Sequence, residues 1–78
     1  TPDLVVLDPP RSGAGGKVMR KVGRAGPRRV LYISCNPTTL APDLKELIPF
    51  GYRVLAVQPV DLFPQTYHVE ALVLLERA

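Results

Sequence analysis

Cys35 is the only cysteine of this 78-residue chain, and its position suits a nucleophile. It follows an apolar run at residues 30–33 and precedes a helical pattern that begins near Leu40. Open α/β sheets bind ligands at the carboxyl ends of their parallel strands, and the partial positive charge of a helix N-terminus favours a thiolate over a thiol. Position alone, however, equally describes a small buried apolar residue, which is the more common use of a lone cysteine.

Two acids stand at the ends of other predicted strands. The continuous apolar run at residues 4–7 predicts a strand buried on both faces, and Asp8 stands where two prolines end that strand. Glu70 lies near the start of the last predicted strand, on the same face as His68 because side chains of a strand alternate. Without further context, Asp8 caps a turn and Glu70 is an exposed acid.

Composition describes a small folded chain. An apolar share of 46% with 22% charged residues is ordinary for such a chain, and no apolar run approaches the roughly 20 residues of a membrane span. One cysteine and one histidine form neither a disulfide nor a structural zinc site, so we predict no metal and a reducing cytoplasmic location. Because the chain begins almost directly in a buried strand without an initiator Met, we predict that residues 1–78 are a fragment of one domain.

Positive charge is concentrated in one segment. The net charge is only +3, but seven of the ten basic residues fall where no acid occurs: Arg11, Lys17, Arg20, Lys21, Arg24, Arg28 and Arg29. Such a segment is a candidate contact for a nucleic-acid backbone, although a solvated helix face explains it equally well. The glycine-rich turn at residues 12–16 is not a P-loop, because that motif requires Gly at position 11 and Ser or Thr at position 18.

The elements that must position these residues are predicted in the order β-α-β-α-β-β. We expect strands at residues 4–7, 29–34, 52–60 and 68–75, with helices at about 17–24 and from near 40 to Pro49. Met19 is expected in the core. The second helix is expected to bury Leu40, Leu44, Leu47 and Ile48 and to expose Asp43, Lys45 and Glu46. This order indicates an α/β fold, one half of a doubly wound sheet.

Three stretches together resemble the uracil-C5 RNA methyltransferases, which use S-adenosylmethionine to make 5-methyluridine in tRNA and ribosomal RNA. They are DPPRSG at residues 8–13, SCNPTTL at 34–40 and DLFPQTYHVE at 61–70. The resemblance covers essentially the whole chain and corresponds to the C-terminal half of that family's Rossmann-like catalytic domain. It implies the strand order first-second-fourth-third with the fourth strand antiparallel. It also implies that the glycine-containing cofactor loop and the RNA-binding N-terminal domain are missing, so the fragment alone should be inactive.

The resemblance implies a covalent mechanism with two catalytic residues. Cys35 would add to C6 of uracil and make C5 nucleophilic toward the methyl group of S-adenosylmethionine. Glu70 would then remove the C5 proton as a general base. Asp8 carries over as a contact to the cofactor or to the target base.

Four further residues carry over on the RNA side. Arg11 would contact an RNA phosphate or a nearby carboxylate. Asn36 and Thr38 would hold the Cys35 turn, with helix capping by Thr38 or Thr39 as the alternative or additional role. His68 would support the site near Glu70, although a purely structural hydrogen bond is the simpler reading.

Other functions remain open on the residues alone. An amino-methylating nucleic-acid methyltransferase has a similar Asp-Pro-Pro loop, but it stacks an aromatic residue where this chain has Arg11. A thiol hydrolase could use Cys35 with His68 and Glu70, and a non-enzymatic basic RNA-binding module could be built on a degenerate methyltransferase half. The first strand is expected to have one uncovered edge, which can pair with another chain, so we predict that the isolated piece self-associates or is only marginally stable.

Overall fold

The computed structural model describes residues 3–10, 12–59 and 71–78. Its elements are β1 (Leu4–Leu7), α1 (Gly16–Ala25), β2 (Arg29–Ser34), α2 (Pro37–Lys45), a 3-10 turn (Ile48–Phe50), β3 (Tyr52–Pro59) and β4 (Ala71–Arg77). The predicted α/β order is confirmed. α2 begins at Pro37 rather than near Leu40, because Asn36 caps the helix and proline is well suited to its first position. In this described part, no helix combines the length and the apolar character that a membrane span requires.

The four strands form one sheet in the order β1-β2-β4-β3. β1 and β2 are parallel, and β4 is antiparallel to both β2 and β3. The predicted strand order and the predicted antiparallel last strand are therefore confirmed. Because β1 and β2 run in the same direction, the residues that follow them emerge at one edge of the sheet.

The described core lies on one face of this sheet. Alternate residues of β2 are buried, and Val30 and Tyr32 pair with the buried residues Leu75 and Val73 of β4. These side chains form one cluster with residues of α1 and of the chain that follows α2: Met19, Val22, Leu47 and Tyr52. The predicted core position of Met19 is thus confirmed. On the other face, β1 exposes Leu4 and Val6.

The second helix and the turn that follows it correct two predictions. Asp43 was expected on the solvent side but is 4% exposed, because its carboxylate accepts hydrogen bonds that offset the cost of its burial. Ile48 was expected in the core but is 55% exposed, because α2 ends at Lys45 and Ile48 starts a separate 3-10 turn. Leu40, Leu44 and Leu47 pack into or against the core as predicted.

Gly23 of α1 is a site of close approach. A Cβ atom at this position would overlap the ring of Phe50, whereas a Cβ at Gly16 would meet mainly the ends of flexible side chains. We expect Gly23→Ala to lower the free energy of unfolding by about 1–3 kcal/mol through overpacking, despite the higher helix propensity of alanine. Urea unfolding measures this effect.

Gly16→Ala is the matched control, because it makes the same substitution in the same helix without meeting a ring. Its free energy of unfolding should stay within about 0.5 kcal/mol of the parent value. A Gly23→Ala protein as stable as the Gly16→Ala protein would contradict the packing of Phe50 on α1.

Candidate active site

Two turns meet at the carboxyl edge of the parallel pair. One follows β1 and contains Asp8 and Pro9; the other follows β2 and contains Cys35. The Sγ atom of Cys35 lies 4.0 Å from the carbonyl oxygen of Pro9, a distance at which the thiol is a weak hydrogen-bond donor. Cys35 as a residue is partly exposed. The structure therefore brings the first two sequence motifs together around a partly exposed cysteine.

Asn36 shapes the turn that carries Cys35. As the N-cap of α2, it has extended backbone, and its Oδ1 accepts hydrogen bonds from the amide N of Thr38 at 3.0 Å and from Thr38 Oγ1 at 2.7 Å. Its carbonyl oxygen accepts from Ser34 Oγ at 3.3 Å and from Thr39 Oγ1 at 3.1 Å. The cap is therefore Asn36, and the alternative of helix capping by Thr38 or Thr39 is wrong. These hydrogen bonds suit Asn36 and Thr38 for the role of holding the Cys35 turn. Contact of these two residues with substrate stays a prediction.

An open cavity lies beside the turn that follows β1. Its volume is about 340 Å³, and its lining is mostly apolar: Val6, Leu7, Asp8, Pro9, Pro10, Gly13, Ala14 and Val18. Asp8 is exposed and supplies the one carboxylate of this lining. Such a cavity suits a ligand with an apolar body and a hydrogen-bond donor that the carboxylate can accept. A larger open cavity of about 620 Å³ includes Asp3, Leu4 and Arg28, and thus lies at the opposite end of β1 from the cysteine.

Asp43 is a residue of this region that sequence reasoning misplaced. Its Oδ2 accepts hydrogen bonds from the amide N of Ala14 at 2.8 Å and from the hydroxyl of Tyr32, and its Oδ1 accepts from the amide N of Gly15 at 3.1 Å. Burial, together with the hydrogen bond to Asp43, raises the pKa of Tyr32 well above its ordinary value. We refer to this set as the Asp43 clamp: Asp43, Tyr32, Ala14 and Gly15.

A signal for the clamp was present in the sequence. Asp43 stands three residues after Leu40 and four before Leu47, on the apolar stripe of the helix rather than opposite to it. Tyr32 lies at an inward position of β2, and a buried tyrosine hydroxyl usually requires a partner. The position of Asp43 on the apolar stripe is thus a sequence signal for its burial, whereas its partners become known only from the structure.

The basic segment is partly neutralised in the structure. Arg20 forms an ion pair with Glu46 at 3.2 Å, and Arg29 lies 3.6 Å from Glu76. Four further basic residues of this segment are exposed and have no ion pair within the described ranges: Lys17, Lys21, Arg24 and Arg28. These four define the basic surface of the chain.

Three of the predicted site residues lie outside the described residues. They are Arg11, His68 and Glu70, and their predicted roles stay predictions. The described part of β4 begins at Ala71, which pairs with Ser34 at the end of β2. The structure therefore shows where the chain continues after Glu70, immediately beside the strand that leads to Cys35.

Comparisons with known proteins agree on one family. The sequence model described as tRNA (uracil-5-)-methyltransferase matches residues 2–78. A protein of Thermotoga maritima named an uncharacterized RNA methyltransferase is 55% identical over 73 residues, which are 94% of this chain and 17% of that protein. A protein of Geobacter sulfurreducens with a name of the same kind is 59% identical over 73 residues, again 94% of this chain but 15% of the relative.

A solved structure agrees with the sequence relatives. The Pyrococcus abyssi tRNA (uracil-54, C5)-methyltransferase, in complex with S-adenosyl-L-homocysteine, matches with a TM-score of 0.68 and 35% sequence identity. The match covers 95% of this chain and 17% of that one. The chain thus spans about one sixth of the length of the proteins it resembles.

Proposed function

Because the chain belongs to the tRNA (uracil-5-)-methyltransferase family, we propose that it supplies the nucleophile and the base of a uridine C5-methylating enzyme. The substrate class is tRNA or ribosomal RNA, and the methyl donor is S-adenosylmethionine. The chain is short beside its relatives, so we further propose that it works as part of a longer protein, as the C-terminal part of a catalytic domain, and is inactive alone.

The pairing of Ser34 with Ala71 is the observation that best supports this proposal. Cys35 directly follows one member of this pair, and Glu70 directly precedes the other. Each of the two proposed catalytic residues is thus a direct chain neighbour of one member of the same cross-strand pair. A thiolate and a carboxylate that converge on one pyrimidine ring are what C5 methylation requires.

The chemistry follows from the weak nucleophilicity of C5. The Cys35 sulfur forms a bond to C6, and the electron pair of the C5–C6 double bond moves into the enolate at the C4 carbonyl. S-adenosylmethionine, when bound, would supply the electrophilic methyl group, whose bond to the donor sulfur breaks as the bond to C5 forms and leaves S-adenosylhomocysteine. Glu70 then takes the proton from C5, and the electrons left behind re-form the C5–C6 double bond and expel the thiolate. The bond between sulfur and C6 is thus broken again, and Cys35 returns to its starting thiolate.

We assign the cavity beside Asp8 to part of the methyl donor. Its apolar walls suit the uncharged portion of such a ligand, and the exposed Asp8 carboxylate can accept a hydrogen bond from the donor or from the target base. Asn36 and Thr38 would act by holding the Cys35 turn against the base, and His68 by supporting Glu70. Arg11 would bind an RNA phosphate.

The basic surface suits the RNA chain around the target. A base that reacts at a ring atom must leave its stack and turn into a pocket, which requires contacts to the adjoining backbone. Lys17, Lys21, Arg24 and Arg28 are exposed on α1 and the loop that follows it, and so are free to contact phosphates. We assign them to this role.

Covalent trapping tests the two catalytic assignments in the full-length protein that carries this chain. With 5-fluorouridine RNA, the parent protein should form an adduct that survives denaturing electrophoresis, because fluorine at C5 cannot leave as a proton. Cys35→Ala should form none and should lose several orders of magnitude in methyl transfer. Glu70→Gln should instead accumulate the adduct with ordinary RNA and turn over about 10²–10⁴-fold more slowly.

Cys35→Ser and Glu70→Asp are the matched controls. The first replaces the reacting sulfur by oxygen, and the second keeps the carboxylate but shortens its side chain, and both change the size of the side chain little. An adduct that persists in Cys35→Ala would remove Cys35 as the nucleophile. Normal turnover by Glu70→Gln would remove Glu70 as the base.

Self-association of the 78-residue chain is a separate proposal. Within the described sheet, β1 is paired only with β2, and it exposes Leu4 and Val6. An unpaired strand edge with apolar side chains favours pairing with a second copy. Sedimentation should therefore show a concentration-dependent dimer that Val6→Lys weakens, whereas a monomer at every concentration would contradict the proposal.

A further inference from the structure

We propose that Asp43 is a positioning residue: the Asp43 clamp sets the spacing between the turn that follows β1 and the turn that carries Cys35. The inference rests on the proposed function, because it concerns the same thiol. Neither the sequence motifs nor the comparisons assign Asp43 a role. It touches neither reacting atom in the proposed mechanism and acts through the backbone that it holds.

The clamp requires a carboxylate at this position. All three of its partners are donors: the amide groups of Ala14 and Gly15 and the hydroxyl of Tyr32. Both oxygens of Asp43 are used, so an amide side chain would have to turn its NH₂ group toward a donor. The fit is also close, since a Cβ atom on Gly13 would come within 3.0 Å of Asp43 Oδ2 and of Thr39 Cβ.

The clamp links three segments that meet at the site. Ala14 and Gly15 end the turn that starts at Asp8, and this turn is closed by a hydrogen bond from the amide N of Gly13 to the carbonyl oxygen of Pro10 at 2.8 Å. Tyr32 lies in β2, three residues before Cys35, and Asp43 lies in α2, which begins two residues after Cys35. The cysteine is therefore flanked along the chain by two of the anchored elements, and its contact with Pro9 leads to the third.

A second link between the helices does not involve the turns. Arg20 of α1 forms an ion pair with Glu46, the C-cap residue of α2, but the two side chains are 46% and 34% exposed. Exposed pairs of this kind contribute little to stability. Glu46 therefore offers a matched control: it is an acid three residues after Asp43, and its side chain contacts Arg20 of α1 rather than either turn.

The test compares three variants in the full-length enzyme: Asp43→Asn, Tyr32→Phe and Glu46→Gln. Asp43→Asn should lower kcat and the rate of 5-fluorouridine adduct formation by about 10²-fold, the scale of a displacement near 1 Å, with the affinity for RNA unchanged. Tyr32→Phe keeps the two hydrogen bonds that Asp43 accepts from backbone amides, and its kcat should fall by about tenfold. Glu46→Gln should retain the parent kcat.

Amide exchange reports the clamp directly. In Asp43→Asn, the amides of Ala14 and Gly15 should exchange faster with solvent, while amides in the centre of β2 keep their parent rates. A merely stabilising role would lower the yield of folded enzyme and leave kcat per folded molecule unchanged.

A parent kcat in folded Asp43→Asn, or in Tyr32→Phe if the first variant does not fold, would overturn the proposal. So would a loss confined to RNA affinity. These results are distinct from failure of the proposed function, which an adduct in the Cys35→Ala enzyme would reveal whatever the Asp43 variants do.

Discussion

The buried carboxylate of Asp43 is the constraint on which the described site depends. It is 4% exposed and accepts three hydrogen bonds, each from a different residue: Ala14, Gly15 and Tyr32. A buried charge left without partners costs several kcal/mol, so these donors cannot move away from it cheaply. Asp43 consequently holds three segments together: the turn after β1, β2 and α2. Cys35 lies between the last two of these along the chain.

Sheet topology supplies the rest of the arrangement. Parallel pairing of β1 with β2 brings Asp8 and Cys35, which are far apart in sequence, to one edge. β4 runs antiparallel to β2, and its first residue, Ala71, pairs with Ser34, so β4 begins at that same edge. The family relation supports an RNA methyltransferase. The thiol-dependent mechanism that we propose gives the cysteine at this edge a role, whereas an amino-methylating enzyme would leave it without one.

The sequence predicted the fold more fully than it predicted the site. Short apolar runs ended by Pro or Gly located the strands, because those residues interrupt ladders and helices for steric reasons. Asp43 escaped prediction, since a charged residue on a helix is assigned to solvent unless its partners are known, and those partners are backbone amides of a distant turn. Helix capping by Thr38 or Thr39, which the sequence left open as an alternative, is wrong, because Asn36, Thr38 and Thr39 are all competent caps and only the backbone geometry selects Asn36.

A crystal structure of the full-length protein trapped on 5-fluorouridine RNA tests the central claim most directly. We expect continuous density from the Cys35 sulfur to C6 of the pyrimidine, with the Glu70 carboxylate against C5 and the Asp43 hydrogen bonds intact. Density that joins the base to another residue, or a Glu70 carboxylate on the far side of the sheet from Cys35, would contradict it.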